Sequence, residues 1–155
     1  MHSKQYIKFF YGLFVGIFVG GLFWTLLVYG QLGNPTLSSQ WVYDVYKKKQ
    51  TIAESIVSSP RILLIGGSSV MFGINSKMLE SHFGIKTINY GVNAGLLLPY
   101  TLYAAKKILR RGDFAVVSLE YPMFNYSGDI NTQIISFILS RENGFIKEIT
   151  LLERI

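Results

Sequence analysis

The sequence predicts an α/β fold with a parallel sheet, preceded by one N-terminal transmembrane helix. Residues 9–30 read FFYGLFVGIFVGGLFWTLLVYG without a charged side chain. As a helix this stretch is about 33 Å long, enough to cross a hydrocarbon core of about 30 Å. Beyond residue 60, short apolar runs alternate with helical patterns, as in sheets whose parallel strands are joined by helical crossovers. The expected organisation is a cytoplasmic N-terminus at 1–8, a transmembrane helix at 9–30, a juxtamembrane loop and helix at 31–59, and an α/β domain at 60–155.

The charges around the apolar segment predict its orientation. Lys4 and Lys8 precede the segment, whereas QLGNPTLSSQ follows it without a charge. The positive-inside tendency therefore predicts a single-pass protein of the cell membrane, with its N-terminus in the cytoplasm and its domain outside. The segment is too long for a typical signal peptide and lacks a small-x-small cleavage signal after it. It also lacks the polar face expected of a long helix in a soluble core.

Composition and spacing predict some partners and exclude others. The lipid bilayer is the expected partner of residues 9–30. Gly12, Gly16 and Gly20 line one face of that helix, so a second helix could pack closely there, although glycine is also common in membrane helices generally. The net charge of +6 comes from scattered basic residues without a dense basic stripe, which argues against nucleic-acid binding. The chain has no cysteine, which excludes disulfides and thiolate metal sites, and no cofactor is expected.

The elements of the domain follow in a regular order. QWVYDVYKKKQTIAESIVSS predicts an amphipathic helix beside the membrane that ends before Pro60. RILLI is a continuous apolar run, typical of a strand buried on both faces of a parallel sheet, and KTINYGV and FAVVSLEY predict two more strands. Between them, NSKMLESHF with its Asn75 cap and LLLPYTLYAAKKILRR, followed by Gly112, predict helices. INTQIISFILSREN and GFIKEITLLERI predict helices after the last strand.

Three loops are expected to meet where ligands bind, outside the carboxyl ends of the strands. They run over residues 66–73, 90–99 and 120–129, and the first two are rich in Gly, Ser and Asn. Small residues let a ligand approach the backbone closely, and a serine at a helix start can be a cap, an anion ligand or a nucleophile. GGSSVMFG provides neither the dinucleotide-binding pattern, nor the P-loop, nor the G-x-S-x-G elbow.

LLIGGSSVMFGI, INYGVNAG and FAVVSLEYPMFN together resemble the SGNH/GDSL hydrolases, especially membrane-anchored bacterial relatives linked to cell-surface polysaccharide. The resemblance covers residues 60–128 and implies a flavodoxin-like, three-layer fold, here only in part. It implies Ser69 as the nucleophile, or Ser68 in a register one residue earlier. It implies Gly95 or Gly91 as a donor to the oxyanion. The family's Gly-x-Asn-Asp block has no match, since Glu120-Tyr121-Pro122 stands in its place with Asn125 nearby.

The largest departure from the family concerns the base that activates its serine. The family carries Asp-x-x-His near its C-terminus, but His2 and His82 are the only histidines here, and neither follows an aspartate by three residues. Without a general base a serine is a weak nucleophile. Either the chain is part of a longer protein, or it retains the first half of the fold as a binding module. Three parallel strands with few covering helices are expected to leave apolar edges and faces exposed.

The function expected in a longer form is hydrolysis or transfer of acyl esters on cell-surface polysaccharide, with this chain alone inactive. The alternative is a non-catalytic assembly protein of a polysaccharide export or synthesis system. Candidate substrate-binding residues are Asn93, Glu120, Tyr121 and Asn125. Tyr100, Tyr103, Tyr121, Phe124 and Tyr126 are either a wall on which sugars stack or part of the core.

Overall fold

The computed structural model describes residues 3–31, 34 and 36–152, in two units, Met1–Asn34 and Pro35–Ile155. The first unit is helix α1, Ser3–Gln31. Its segment Gln5–Gln31 has a mean hydropathy of 2.0, with none of its most apolar stretch buried. By length and composition, this helix is able to cross a membrane, as the sequence predicted. Its orientation in a membrane stays a prediction.

The second unit is built on a three-stranded parallel sheet, which confirms the predicted fold class. The strands are β1 (Arg61–Gly66), β2 (Lys86–Asn89) and β3 (Phe114–Ser118), in the order β2-β1-β3. Leu64 of β1 lies opposite Asn89 on one side and Val116 on the other. As the central strand, β1 has a neighbour on each edge, and its apolar run is also largely buried on both faces, as the sequence of RILLI predicted.

Helices surround this sheet in the predicted order, with three short additions. The helices are α2 (Leu37–Ser55), α3 (Ser68–Gly73), α4 (Ser76–Phe83), a 3₁₀ turn (Ala94–Leu96), α5 (Leu97–Lys106), α6 (Tyr121–Phe124), α7 (Thr132–Arg141) and α8 (Asn143–Leu152). The additions are α3, the 3₁₀ turn and α6. The Asn75 cap of α4 is confirmed, since its side chain accepts the amides of Lys77 and Met78. The helix ends at Gly84, whose φ of +66° suits glycine.

Three predicted elements are shorter than their apolar patterns. β2 ends at Asn89 because the Asn89 side chain accepts the Gly91 amide and turns the chain. β3 ends at Ser118 because Glu120 already caps the next helix, α6. α5 ends at Lys106, ahead of a turn in which the Arg110 amide donates to the Asp113 carboxylate. At the end of β2 a polar side chain takes a backbone amide, whereas α6 begins with the Met123 and Phe124 amides donating to the Glu120 backbone carbonyl.

The core lies on one face of the sheet, beneath α2, α5, α7 and α8. Leu63 and Ile65 point into it from β1. Tyr100 lies at its centre, with its ring centroid 5.1 Å from that of Phe137 and 5.3 Å from that of Phe145. This places Tyr100 in the core and decides against a sugar-stacking role at that position. Tyr103 and Tyr126 are partly buried against the same cluster.

A buried ion pair joins β1 to the start of β3. The Arg61 Nη2 lies 2.5 Å from the Asp113 Oδ2, and the two side chains are 1% and 0% exposed. The guanidinium also donates to the carbonyls of Ala53, at 2.6 Å, and Ile108, at 2.9 Å. It thereby connects α2, the turn after α5 and two strands. Hydrogen bonds from Arg61 hold the pKa of Asp113 below its ordinary value despite burial.

The edge strand β3 is exposed along its whole length. Phe114 and Val116 face one side of the sheet and Val117 the other, and all three are exposed apolar side chains. The expected apolar edge is therefore present. A parallel strand normally has both faces covered, so β3 is the least protected part of the sheet.

Candidate functional site

The serine turn at the end of β1 contacts Glu120, which follows β3. The Ser69 hydroxyl donates to Glu120 Oε1 at 2.8 Å, and the Ser69 amide donates to the same oxygen at 2.8 Å. The Gly67 amide donates to Oε2 at 3.0 Å. A single carboxylate thus holds a serine hydroxyl and two backbone amides. Ser69 is exposed and Glu120 is half-buried, so the site opens to solvent.

The strand register brings these residues together. Gly66 of β1 pairs with Ser118 of β3, so the two chains leave the sheet side by side. The space at Gly67 is closed, since a Cβ there would lie 2.5 and 2.6 Å from the Glu120 carboxylate oxygens and 2.7 Å from the Ala94 amide nitrogen. Glycine at position 67 is therefore needed for the carboxylate to reach the serine turn.

The hydrogen bonds determine the charge of Glu120. Burial alone would raise the pKa of this carboxyl, but the donors from Ser69 and Gly67 outweigh it and lower the pKa. Glu120 is therefore ionised at neutral pH. A carboxylate with a lowered pKa is a good acceptor that orients a hydroxyl, but it is a weak general base.

The second loop directs its glycine amides to internal acceptors. The Gly95 amide donates to Asn93 Oδ1 at 2.7 Å, and the Gly91 amide donates to Asn89 Oδ1 at 3.2 Å. A Cβ at Gly91 would lie 2.8 Å from the Gly67 carbonyl oxygen, so Gly91 packs directly against the serine turn. The resemblance implied Gly95 and Gly91 as oxyanion donors. In this structure both amides are already occupied, and Asn93 is a cap for the 3₁₀ turn.

The remaining predicted residues lie on the exposed rim of the site. Ser68 is exposed at the start of α3, and the carboxylate contacts Ser69 instead. Asn125 is exposed and ends α6. Tyr121 and Phe124, on α6, are 79% and 80% exposed. They follow Glu120 by one and four residues and so stand beside the site.

Sequence reasoning missed one aromatic residue of this rim. Phe72 is 79% exposed and lies one helical turn after Ser69 on α3. Its spacing of three residues from Ser69 places both on one face of a helix. That spacing could have identified it, had GSSVMFG been interpreted as a short helix from the outset.

Asn89 and Lys49, which were not predicted from the sequence, hydrogen-bond to the segments that carry the site. The Asn89 side chain donates to the carbonyls of Val70, at 2.7 Å, and Ile74, at 2.9 Å, and so holds α3 against β2. Lys49 of α2 donates to the Gly91 carbonyl at 2.5 Å and to Asn89 Oδ1 at 3.2 Å. A polar residue ending a buried strand was a usable signal for Asn89, whereas Lys49 stands in a run of three lysines.

Histidine is not part of this arrangement in the described residues. His82 is exposed on α4, where its ring centroid lies 4.8 Å from that of Phe83 in an edge-to-face arrangement, and it has no hydrogen bond to Ser69. His2 lies outside the described residues. Within 3–31, 34 and 36–152, no group of three or more acidic or histidine side chains could hold a metal ion. The described site therefore contains a serine hydroxyl, an ionised carboxylate and backbone amides.

No protein-family model matches this chain, and no curated protein or solved structure matches it.

Proposed function

We propose that the protein is a membrane-anchored, SGNH-like serine esterase or O-acyltransferase domain that acts on acyl esters of cell-surface polysaccharide. The observation that carries the proposal is the exposed Ser69 hydroxyl, held 2.8 Å from Glu120 at the carboxyl edge of a parallel sheet. Ligands of open α/β sheets bind at this edge. The exposed rings of Phe72, Tyr121 and Phe124 beside it suit a sugar ring, which stacks on aromatic faces.

In the proposed reaction Ser69 Oγ attacks the ester carbonyl carbon and gives its proton to a base. The ester C–O bond then breaks, and the sugar hydroxyl leaves with that proton. In the next step water or a second hydroxyl attacks the acyl carbonyl carbon, the bond between that carbon and Ser69 Oγ breaks, and the proton of the attacking group passes through the base to Ser69 Oγ. Glu120 orients the Ser69 hydroxyl in this scheme, but its lowered pKa makes it a weak base. The proposal therefore assigns the base to an imidazole supplied from outside the described residues.

The oxyanion requires a rearrangement of Glu120. The Ser69 amide is the backbone donor nearest to the reacting carbonyl, and it donates to Glu120 Oε1 at 2.8 Å. A negatively charged oxygen at that position would be repelled by the carboxylate. We expect Glu120 to move or to be neutralised when an acyl group binds. The 155-residue chain alone is therefore expected to react slowly.

Labelling with a fluorophosphonate tests the serine assignment on the full chain in detergent. Imidazole added to the buffer supplies the missing base, so labelling is expected to rise with imidazole concentration. Ser69→Ala should abolish the label, and the matched control Ser68→Ala should retain it. Labelling that survives Ser69→Ala, or that is absent at every imidazole concentration in a folded protein, would overturn the proposal.

The anchor and its orientation can be tested separately because the chain contains no cysteine. A single cysteine is introduced on either side of the apolar helix, as Gln5→Cys or as Ser58→Cys. With the N-terminus in the cytoplasm, a membrane-impermeant maleimide should label Ser58→Cys in intact spheroplasts. It should label Gln5→Cys only after lysis. The reverse pattern would contradict the orientation, and labelling of both in spheroplasts would contradict a membrane-spanning helix.

A non-catalytic role in assembly of a polysaccharide export or synthesis system is the second candidate. The exposed apolar strand β3 favours it, because an uncovered strand edge is suited to pairing with another chain. The glycine face of α1 offers a second contact. The fluorophosphonate experiment separates the two candidates. The probe is expected to react selectively with Ser69 in an esterase or acyltransferase, and not in an assembly protein.

A further inference from the structure

A cavity of about 430 Å³ lies at the β2 edge of the sheet, bordered by residues of α2 and of the α3–α4 segment. Its volume is within the range of about 300–1,000 Å³ typical of small-molecule pockets. Its apolar lining includes Ile52, Met71, Ile74 and Ile88, and two lysines, Lys49 and Lys77, are among the other lining residues. None of the described residues that line it is an aspartate or a glutamate.

Lys49 is an uncompensated cation in this lining. Its ammonium is half-buried and donates only to neutral oxygens, those of Gly91 and Asn89. Loss of solvation by burial lowers its pKa to about 8, which is the response expected when no anion offsets the charge. An ammonium has three donors, and two are in use, so one N–H remains for a ligand.

An acidic group on the adjoining helix α4 is already paired. Glu80, on α4, forms an ion pair with Lys86 and accepts the Thr87 amide. The pKa of Glu80 is lowered chiefly by Lys86 and also by the charge of Lys77, and Glu80 forms no hydrogen bond with Lys49. The cavity thus combines positive charge with branched apolar walls, which is the complement of an amphipathic anion.

We propose that this cavity binds a small carboxylate with a short alkyl chain, the carboxylate lying between Lys49 and Lys77 and the chain against the isoleucine walls. A ligand with a single negative charge suits this site because only Lys49 is half-buried, whereas Lys77 is exposed to solvent. Binding would supply the counter-charge that Lys49 lacks and keep it protonated. The proposal does not depend on catalysis at Ser69.

Occupancy is expected to be transmitted to the serine turn. Lys49 holds the Gly91 carbonyl, and Asn89 holds the carbonyls of Val70 and Ile74 in α3. A ligand that fixes Lys49 therefore fixes both loops that border Ser69. Binding in the cavity is therefore expected to stabilise the loops beside Ser69.

Competitive acetylation tests the proposal on the full chain in lipid nanodiscs, with hexanoate as the probe. Trace acetic anhydride labels lysine amines, and peptide mass spectrometry gives the rate for each lysine. Hexanoate is expected to slow acetylation of Lys49 relative to exposed Lys106, whereas hexanol and hexylamine should not. Equal protection by hexanol, or no protection of Lys49 at any hexanoate concentration, would overturn the proposal.

Substitutions locate the binding. In isothermal titration, Lys49→Met should weaken hexanoate binding by about tenfold or more, as expected for loss of one charge-assisted hydrogen bond. Because Lys49→Met also removes support from Gly91, the surface variant Lys77→Met provides a second measurement with little risk to folding. It should weaken hexanoate binding severalfold, and Lys106→Met should leave it unchanged. Undiminished binding to Lys77→Met would contradict the proposed position of the carboxylate.

Discussion

The Arg61–Asp113 pair provides a quantitative test of the fold that positions the site. Asp113→Asn keeps the shape of the side chain but leaves the guanidinium, whose side chain is 1% exposed, without a counter-charge. The donors to Ala53 and Ile108 remain, so the loss is electrostatic rather than steric. Removing one partner of a buried pair typically costs about 3–5 kcal/mol of unfolding free energy. We expect Asp113→Asn to lie in that range.

A double-mutant cycle isolates the interaction. Arg61→Met leaves the Asp113 carboxylate, 0% exposed, with the amides of Arg61 and Arg110 as its donors. The double variant removes both charges, so it should be less destabilised than the sum of the single variants by about 0.5–3 kcal/mol. Urea unfolding can be followed by Trp41 fluorescence in a Trp24→Phe background. Additive losses, or a loss below about 1 kcal/mol for Asp113→Asn, would refute the reasoning.

Three further predictions concern the site and the strand edge. Gly67→Ala should destabilise the fold by about 1–3 kcal/mol in urea unfolding because its Cβ meets the Glu120 carboxylate at 2.5 Å, whereas Gly73→Ala, with open space around it, should not. The ionised Glu120 should contribute to the unfolding free energy above its ordinary pKa, and this contribution should be lost as pH falls through its lowered folded pKa. Glu120→Gln should therefore lose less stability than the wild type on acidification below the ordinary pKa of glutamate. Val116→Lys, on the exposed edge, should change the unfolding free energy of the isolated chain by less than about 0.5 kcal/mol; a larger loss would indicate that β3 is covered.

Local patterns predicted most elements, whereas the central contact of the site required the tertiary structure. Consecutive apolar residues in RILLI identified a strand covered on both faces, and Asn75 identified the start of α4, because both signals act within a few residues. The bond between Ser69 and Glu120 joins residues far apart in sequence and depends on the pairing of Gly66 with Ser118. Strand register is set by the packing of whole elements and cannot be deduced from either loop.

Lys49 shows that some of the missed information was present in the sequence. Val42, Tyr46 and Ala53 are buried on α2, and Lys49 falls at the same helical spacing, three residues beyond Tyr46 and four before Ala53. Its two neighbours, Lys47 and Lys48, do not share this spacing and are exposed. Helical periodicity distinguishes the three positions of KKK and places only Lys49 on the buried side of α2. This difference is lost when the three lysines are considered as one solvated group.

Glu120 presents a conflict that determines how the proposed chemistry can be tested further. Its charge orients the Ser69 hydroxyl, yet the same charge faces the position where negative charge develops on the carbonyl oxygen. Glu120→Gln keeps an acceptor oxygen and the size of the side chain but removes the charge. Because the developing oxyanion is then no longer repelled, we expect fluorophosphonate labelling of Ser69 in imidazole to be faster than in the wild type.

The conservative variant Glu120→Asp is the matched control, since it keeps the charge on a shorter side chain and should not accelerate labelling. Slower labelling of Glu120→Gln than of the wild type, with its urea unfolding unchanged, would mean that the carboxylate aids the reaction directly. The orientation of the Ser69 hydroxyl by Glu120 would then outweigh its repulsion of the oxyanion, and the expected acceleration would be wrong.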